Sequence, residues 1–182
     1  MMNKIILILG APRCGKTTLA KLLSKSLNYS MISVDDLVSA LRKSNVLPLD
    51  GDADEITKDI YPFLKEYFNE LSNNEINYVI EGTHVDFRIV EALKNNFNII
   101  GLTFNELTEK KIFQNLRKYD NKNDWTYCFD DDTLREKVNC FFYRNKYFND
   151  NFIKYDIQTY DVSHNREKVF LKILSELQNK NY

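Results

Sequence analysis

Gly10, Gly15, Lys16 and Thr17 fall at the spacing G-x-x-x-x-G-K-[ST] within the run Gly10-Ala11-Pro12-Arg13-Cys14-Gly15-Lys16-Thr17-Thr18. These residue types in this order make a cradle for phosphate. The glycines let the backbone bend around an anion, and the N–H groups of the loop and of the next helical turn point at phosphate oxygens. Lys16 neutralises charge on β- and γ-phosphates, and the Thr17 hydroxyl is placed to ligate Mg²⁺ beside them. An ordinary glycine turn does not account for lysine and threonine at those two positions.

In open α/β sheets, ligands sit beyond the carboxyl ends of the strands, so polar residues at such ends are the next candidates. Two more strand ends are suggestive, one delivering Asp35-Asp36 and the other Glu81-Gly82-Thr83-His84. Asp35 can orient an acceptor hydroxyl or take its proton, while a helix N-cap is the bland alternative; Asp36 is expected near the helix start. Glu81 follows a buried run, where a carboxylate is costly unless a cation, water or donor meets it. A Mg²⁺-bound water does so, and so does a lysine or a helix start. His84, lone in a turn, reads as structural.

Arginines brace transferring phosphates well, because the guanidinium is planar, permanently charged and bidentate. Arg13, Arg88, Arg117 and Arg144 are candidates by position. Arg117 is the preferred γ-phosphate clamp, since a closing cover delivers its charge only over bound nucleotide. A solvated helix arginine near Asp120 is the alternative.

Two further matches lack their context. Asn121-Lys122-Asn123-Asp124 fits the guanine-reading N-K-x-D pattern but has no buried strand before it, and no D-x-x-G accompanies it. Asp50, Asp52 and Asp54 alternate like calcium-loop ligands, yet Glu55 and Tyr61 stand where glycine and the bidentate glutamate belong. Asp130-Asp131-Asp132 reads as a solvated turn and helix cap. Cys14, Cys128 and Cys140 form no C-x-x-C pair, which argues for free thiols rather than disulfides or zinc.

The elements that must position these residues alternate strand and helix, the pattern of a parallel sheet covered on both faces. Strands are expected at 4–9, 30–34, 77–80, 97–104 and 153–159. Helices are expected at 16–27, through Leu37 and Leu41, at 55–71 with Pro62 as a kink or break, and at 86–94, 106–118, 133–148 and 166–178. The polar, acidic stretch 119–132 lacks periodicity and reads as a mobile cover.

A chain of 182 residues fits one domain, taken as 1–182 with a lid at about 106–132. A net charge of −1 gives no bulk electrostatic case for nucleic acid or an acidic membrane. The first apolar run is too short for a signal or membrane segment, and the expected location is cytoplasmic. Oligomeric state is not legible.

The phosphate loop, Ser33-Val34-Asp35-Asp36 and Val79-Ile80-Glu81-Gly82-Thr83-His84 together resemble the small-molecule P-loop kinases, the group of adenylate, shikimate and gluconate kinases and the zeta toxins. That resemblance implies a three-layer α/β/α fold with five parallel strands in the order 2-3-1-4-5, and use of ATP and Mg²⁺. It assigns the acceptor to Asp35 and the lid arginine to Arg117, and it places the loop 160–165 near adenine. Adenylate kinases carry Asp-Gly-Phe-Pro-Arg after the third strand, whereas this chain has Glu-Gly-Thr-His, and paired lid arginines are not evident. The implied activity is γ-phosphate transfer to a small-molecule hydroxyl or phosphate acceptor. A polynucleotide 5′-hydroxyl kinase, using the Lys110-Lys111 and Arg117-Lys118 steps, and a non-catalytic nucleotide switch or toxin-like module are the competing readings.

Overall fold

Ile5, Ile6, Leu7, Ile8 and Leu9 are each no more than 2% exposed, although successive strand residues point to opposite faces. Both faces of their strand are therefore covered, as a continuous apolar run in a parallel sheet demands. This strand, β1 (Ile5–Gly10), is the centre of the sheet. The computed structural model describes residues 4–122 and 124–179.

From β1 the chain passes through α1 (Lys16–Leu27), β2 (Ser30–Ser33), α2 (Val34–Lys43) and α3 (Ala53–Ser72). It continues through β3 (Tyr78–Gly82), α4 (Phe87–Leu93), β4 (Phe97–Thr103) and α5 (Glu109–Tyr119). The last elements are α6 (Asp131–Lys154), β5 (Thr159–Asp161) and α7 (Arg166–Asn179). All strand pairs are parallel, and the order is β2-β3-β1-β4-β5, as the resemblance implies. This is the three-layer α/β/α fold of P-loop nucleotide hydrolases and kinases.

Local chemistry sets the element boundaries. Ser33 caps α2 by accepting from the Asp36 N–H at 3.3 Å, so the cap is the serine and both aspartates lie in the first turn. Asp52 and Glu55 form a reciprocal capping box on α3, which explains the alternating acidic loop without calcium. Pro62 does not break α3. Its missing N–H leaves the carbonyl of Lys58 on the exposed face of the helix, where water can serve it.

The last strand differs from expectation. Ile153 and Lys154 end α6, and β5 is only three residues, beginning at Thr159. The alternation of Ile153, Tyr155 and Ile157 imitates a strand, but Phe148 and Phe152, one helical turn apart and fully buried, carry the helix past them and leave Ile153 74% exposed. Asp156, at φ 54°, turns the chain into β5, which pairs with Gly101–Thr103 alone.

Candidate active site

Gly15 has φ 98°, a conformation costly for any side chain, and it starts α1 with its N–H groups turned towards the loop. Lys16 is 5% exposed and donates its Nζ proton to the Ala11 carbonyl at 3.0 Å, so it folds over the loop it serves. Pro12, Arg13 and Cys14 complete the turn between β1 and α1, and Thr17 and Thr18 lie in the first turn of α1. The Cys14 thiol is buried, and burial pushes its pKa up, which keeps it protonated rather than nucleophilic.

The register β1–β3 pairs Ile8 with Glu81, and that of β2–β3 pairs Ser33 with Glu81. Glu81 thereby reaches the start of α1, where its Oε1 accepts from the Thr17 hydroxyl at 3.2 Å. It is 1% exposed, and its Oε2 has no partner among the described residues. Burial raises its pKa, with Asp35 adding to the rise and Lys16 opposing it. A buried, partnerless carboxylate oxygen beside a hydroxyl and an ammonium is suited to an ion that brings its own water and phosphate ligands, which is how Mg²⁺ binds. No cluster of three His, Cys, Asp or Glu among the described residues is arranged to hold a metal ion by itself.

Asp35 is held from the neighbouring strand end. Its Oδ1 accepts from the Thr83 N–H at 2.9 Å and its Oδ2 from the Thr83 hydroxyl at 3.4 Å. The close approach is possible because residue 82 is glycine: a Cβ there would lie 2.5 Å from Val34 Cβ. Neither Thr83 nor Gly82 was singled out by spacing, although both belong to the Glu-Gly-Thr-His run. His84, next in the chain, sits 3.3 Å from the Thr57 hydroxyl through Nδ1, and burial lowers its pKa, keeping the imidazole neutral.

The arginines divide differently from their order in sequence. Arg13 pairs with Asp120 and, at 2.7 Å, with Asp124, tying the segment after α5 to the phosphate loop. Asp124 also accepts from the Asn121 N–H and side-chain amide, so two residues of the N-K-x-D run form a turn; Asn123 lies outside the described residues. Arg117 donates to Asp131 at 2.6 Å and to the Phe129 carbonyl at 2.9 Å, which fastens α5 to the start of α6. Arg88 is a local clamp on Asp86 at 2.8 Å, stacked 3.9 Å over Tyr61. Arg144 is buried on α6 and pairs with Asp54 of α3. Arg166, the first residue of α7, lies beside Gly15 and donates to the Arg13 carbonyl at 3.4 Å. It follows the 160–165 loop directly, and its place at a strand's carboxyl end was the available signal. A small slot between Arg13, Arg166, Phe104, Leu107, Ile112 and Leu116 opens beside the loop, whereas a cavity of about 370 Å³ lies elsewhere, at the amino end of β4.

The sequence profile described as AAA domain matches residues 6–110, from β1 to the start of α5. The chain belongs to the AAA domain family. Solved structures extend the likeness of this family member over its whole length. Shikimate kinase from Bacteroides thetaiotaomicron superposes with a TM-score of 0.61 at 17% identity, covering 98% of each chain. A gluconokinase from Sinorhizobium meliloti 1021 gives 0.56 at 12% identity, covering 99% of this chain and 98% of its own. The tunicamycin resistance protein of Deinococcus radiodurans gives 0.58 at 20% identity, covering 96% and 95%. At these identities the likeness is one of fold. No curated protein matches the chain in sequence. Among the described residues, no helix is long and apolar enough to cross a membrane.

Proposed function

We propose that this protein is an ATP- and Mg²⁺-dependent phosphotransferase that moves the γ-phosphate to a small hydroxyl-bearing acceptor. The observation that carries the reading is the convergence of Lys16, Thr17, Glu81 and Asp35 at the carboxyl ends of three adjacent strands. The kinase-like fold and the family membership are consistent with it. Lys16 and the loop amides hold the β- and γ-phosphates, which requires Lys16 to leave the Ala11 carbonyl. Thr17 and Glu81 hold Mg²⁺, whose bound charge offsets that of the phosphate oxygens. Asp35, oriented by Thr83, positions the acceptor hydroxyl and takes its proton as the oxygen attacks phosphorus. Arg166, and Arg13 and Arg117 once released from Asp120, Asp124 and Asp131, are the cations for the covering side.

The test is ATP turnover against a panel of hydroxyl compounds. One acceptor is expected to stimulate it, Asp35→Ala to abolish the stimulation while nucleotide binding persists, and Lys16→Ala to abolish nucleotide binding. Nucleotide binding without stimulation by any acceptor, together with a nucleotide-dependent change in a partner's affinity, would establish a switch instead.

A further inference from the structure

Arg144 is 7% exposed, and it spends its charge inside the molecule. One guanidinium nitrogen, Nη1, is bonded to Asp54, whose side chain is 57% exposed, and the guanidinium lies 4.7 Å from the Tyr147 ring centroid and 5.5 Å from that of Phe148. Its Nε is buried with no partner among the described residues. An unmet buried donor of this kind is costly, and such groups are normally completed by protein, ordered water or a ligand.

The surroundings tie this group to the acceptor side of the cleft. Thr57 lies one turn after Asp54 on α3 and contacts His84; His84 follows Thr83, which holds Asp35. The His84 imidazole lies within electrostatic reach of Asp35, Arg144 and Lys16 together. A chain of side-chain contacts therefore links the first turns of α2 and α3, the end of β3 and the middle of α6: Asp35 to Thr83, His84 to Thr57, and Asp54 to Arg144. Around His84, which is neutral, Asp35 and Asp54 are the carboxylates, Arg144 is engaged by Asp54, and Lys16 is the cation on the phosphate-loop side.

We propose that Asp54 determines acceptor class: by occupying Arg144 it closes this arginine to anionic compounds, so the pocket takes a neutral or amine-bearing hydroxyl compound. The inference rests on the phosphotransferase reading above. An acid acceptor must displace a carboxylate tethered one side chain away, which competes at an effective concentration on the order of millimolar or above. It must also settle near Asp35 and the displaced Asp54, both of its own sign. A neutral hydroxyl compound leaves the ion pair intact, and an amine is attracted by the carboxylates of Asp35 and Asp54.

Sulfate titration of the protein saturated with Mg²⁺ and a non-hydrolysable ATP analogue tests this, because the analogue fills the phosphate loop and leaves Arg144 as the anion site. Wild type is expected to show no sulfate binding that depends on Arg144. Asp54→Asn is expected to bind sulfate at least tenfold more tightly, and Asp54→Asn combined with Arg144→Met to lose the gain. Asp54 is exposed and the α3 cap is Asp52, so the single variant is expected to fold, and retained analogue binding verifies that. Arg144-dependent sulfate binding by wild type, a measurement that needs no Asp54 variant, overturns the proposal. An unchanged Asp54→Asn affinity, or a gain that survives Arg144→Met, overturns it equally. Failure of wild type to bind the analogue removes the phosphotransferase reading and this proposal with it, an outcome distinct from the other three.

Discussion

Arg13 Nη1 lies 2.7 Å from Asp124 Oδ1, across 111 positions of sequence. The phosphate loop thus holds Asp124 by its own arginine, with Asp120 as a second anchor that also accepts from the Thr126 hydroxyl. The Asp120 side chain is 5% exposed, so removal of Arg13 leaves a carboxylate in a poorly solvated position. Arg13→Met is expected to destabilise the fold on the order of 3 kcal/mol, and Arg13→Met/Asp120→Asn by clearly less, because the second change removes the orphaned charge. Chemical denaturation of the two variants and wild type measures the difference. Equal losses would show that the pair contributes through packing alone.

The same pair gives a pH response. Asp124 is held below its ordinary carboxyl value, first by the Arg13 side chain and then by the Asn121 N–H. Its folded form binds a proton more weakly than its unfolded form. The stabilisation is complete above the unfolded value of about 3.9 and is lost as pH falls through the lower folded value. Trp125, the single tryptophan, adjoins Asp124 and packs edge-on against Phe129 and Phe141. Its emission is expected to change as acid releases the segment, and Asp124→Asn to lack that component of the change.

Glu81 is the clearest case of stability set aside at the candidate site. Its Oε2 is buried without a partner, and its charge is only partly offset by Lys16. Glu81→Gln keeps an acceptor for Thr17 and removes the buried charge, so it is expected to stabilise the ligand-free protein by about 1–3 kcal/mol. The same change is expected to remove the Mg²⁺-dependent part of nucleotide stabilisation. Thermal unfolding with and without ATP analogue and Mg²⁺ separates the two effects; a Glu81→Gln protein less stable than wild type without ligand contradicts the assignment.

What could be read before folding follows from the range of the forces involved. The phosphate loop is nine consecutive residues, and its strand and helix are specified by their own periodicity, so motif and context agree within a short window. Asp35 and Glu81 were legible because Asp35 closely follows one predicted strand and Glu81 closes the apolar run of another, and parallel strands bring such ends to one edge. The arginines were not, because their partners are set by tertiary approach. Arg13 meets residues from the far side of α5, Arg117 meets Asp131 on the next helix, and Arg144 meets Asp54 from ninety positions earlier. The end of α6 was misread for a related reason. Ile153, Tyr155 and Ile157 alternate locally, but burial of Phe148 and Phe152 against the sheet decides the conformation.

Asp35 and Thr83 allow the positioning of the candidate base to be separated from its chemistry. Thr83 holds both carboxylate oxygens, one by its backbone N–H and one by its hydroxyl. Thr83→Val removes the hydroxyl and keeps the backbone bond and the shape. It is expected to lower acceptor-stimulated turnover about tenfold, within the contribution of a misplaced general base, whereas Asp35→Ala is expected to remove the stimulation altogether. Nucleotide affinity is expected to change in neither, because both residues lie on the β2 and β3 side of the sheet and their side-chain hydrogen bonds among the described residues are to each other. Gly82→Ala extends the same argument to the backbone. A Cβ at residue 82 meets Val34, the residue before Asp35, and pushes α2 from the strand end, so turnover is expected to fall as in Thr83→Val or further. Steady-state kinetics with the stimulating acceptor, paired with calorimetric nucleotide binding, reads both quantities; a parallel loss of nucleotide affinity would assign Asp35 to the fold rather than to the acceptor.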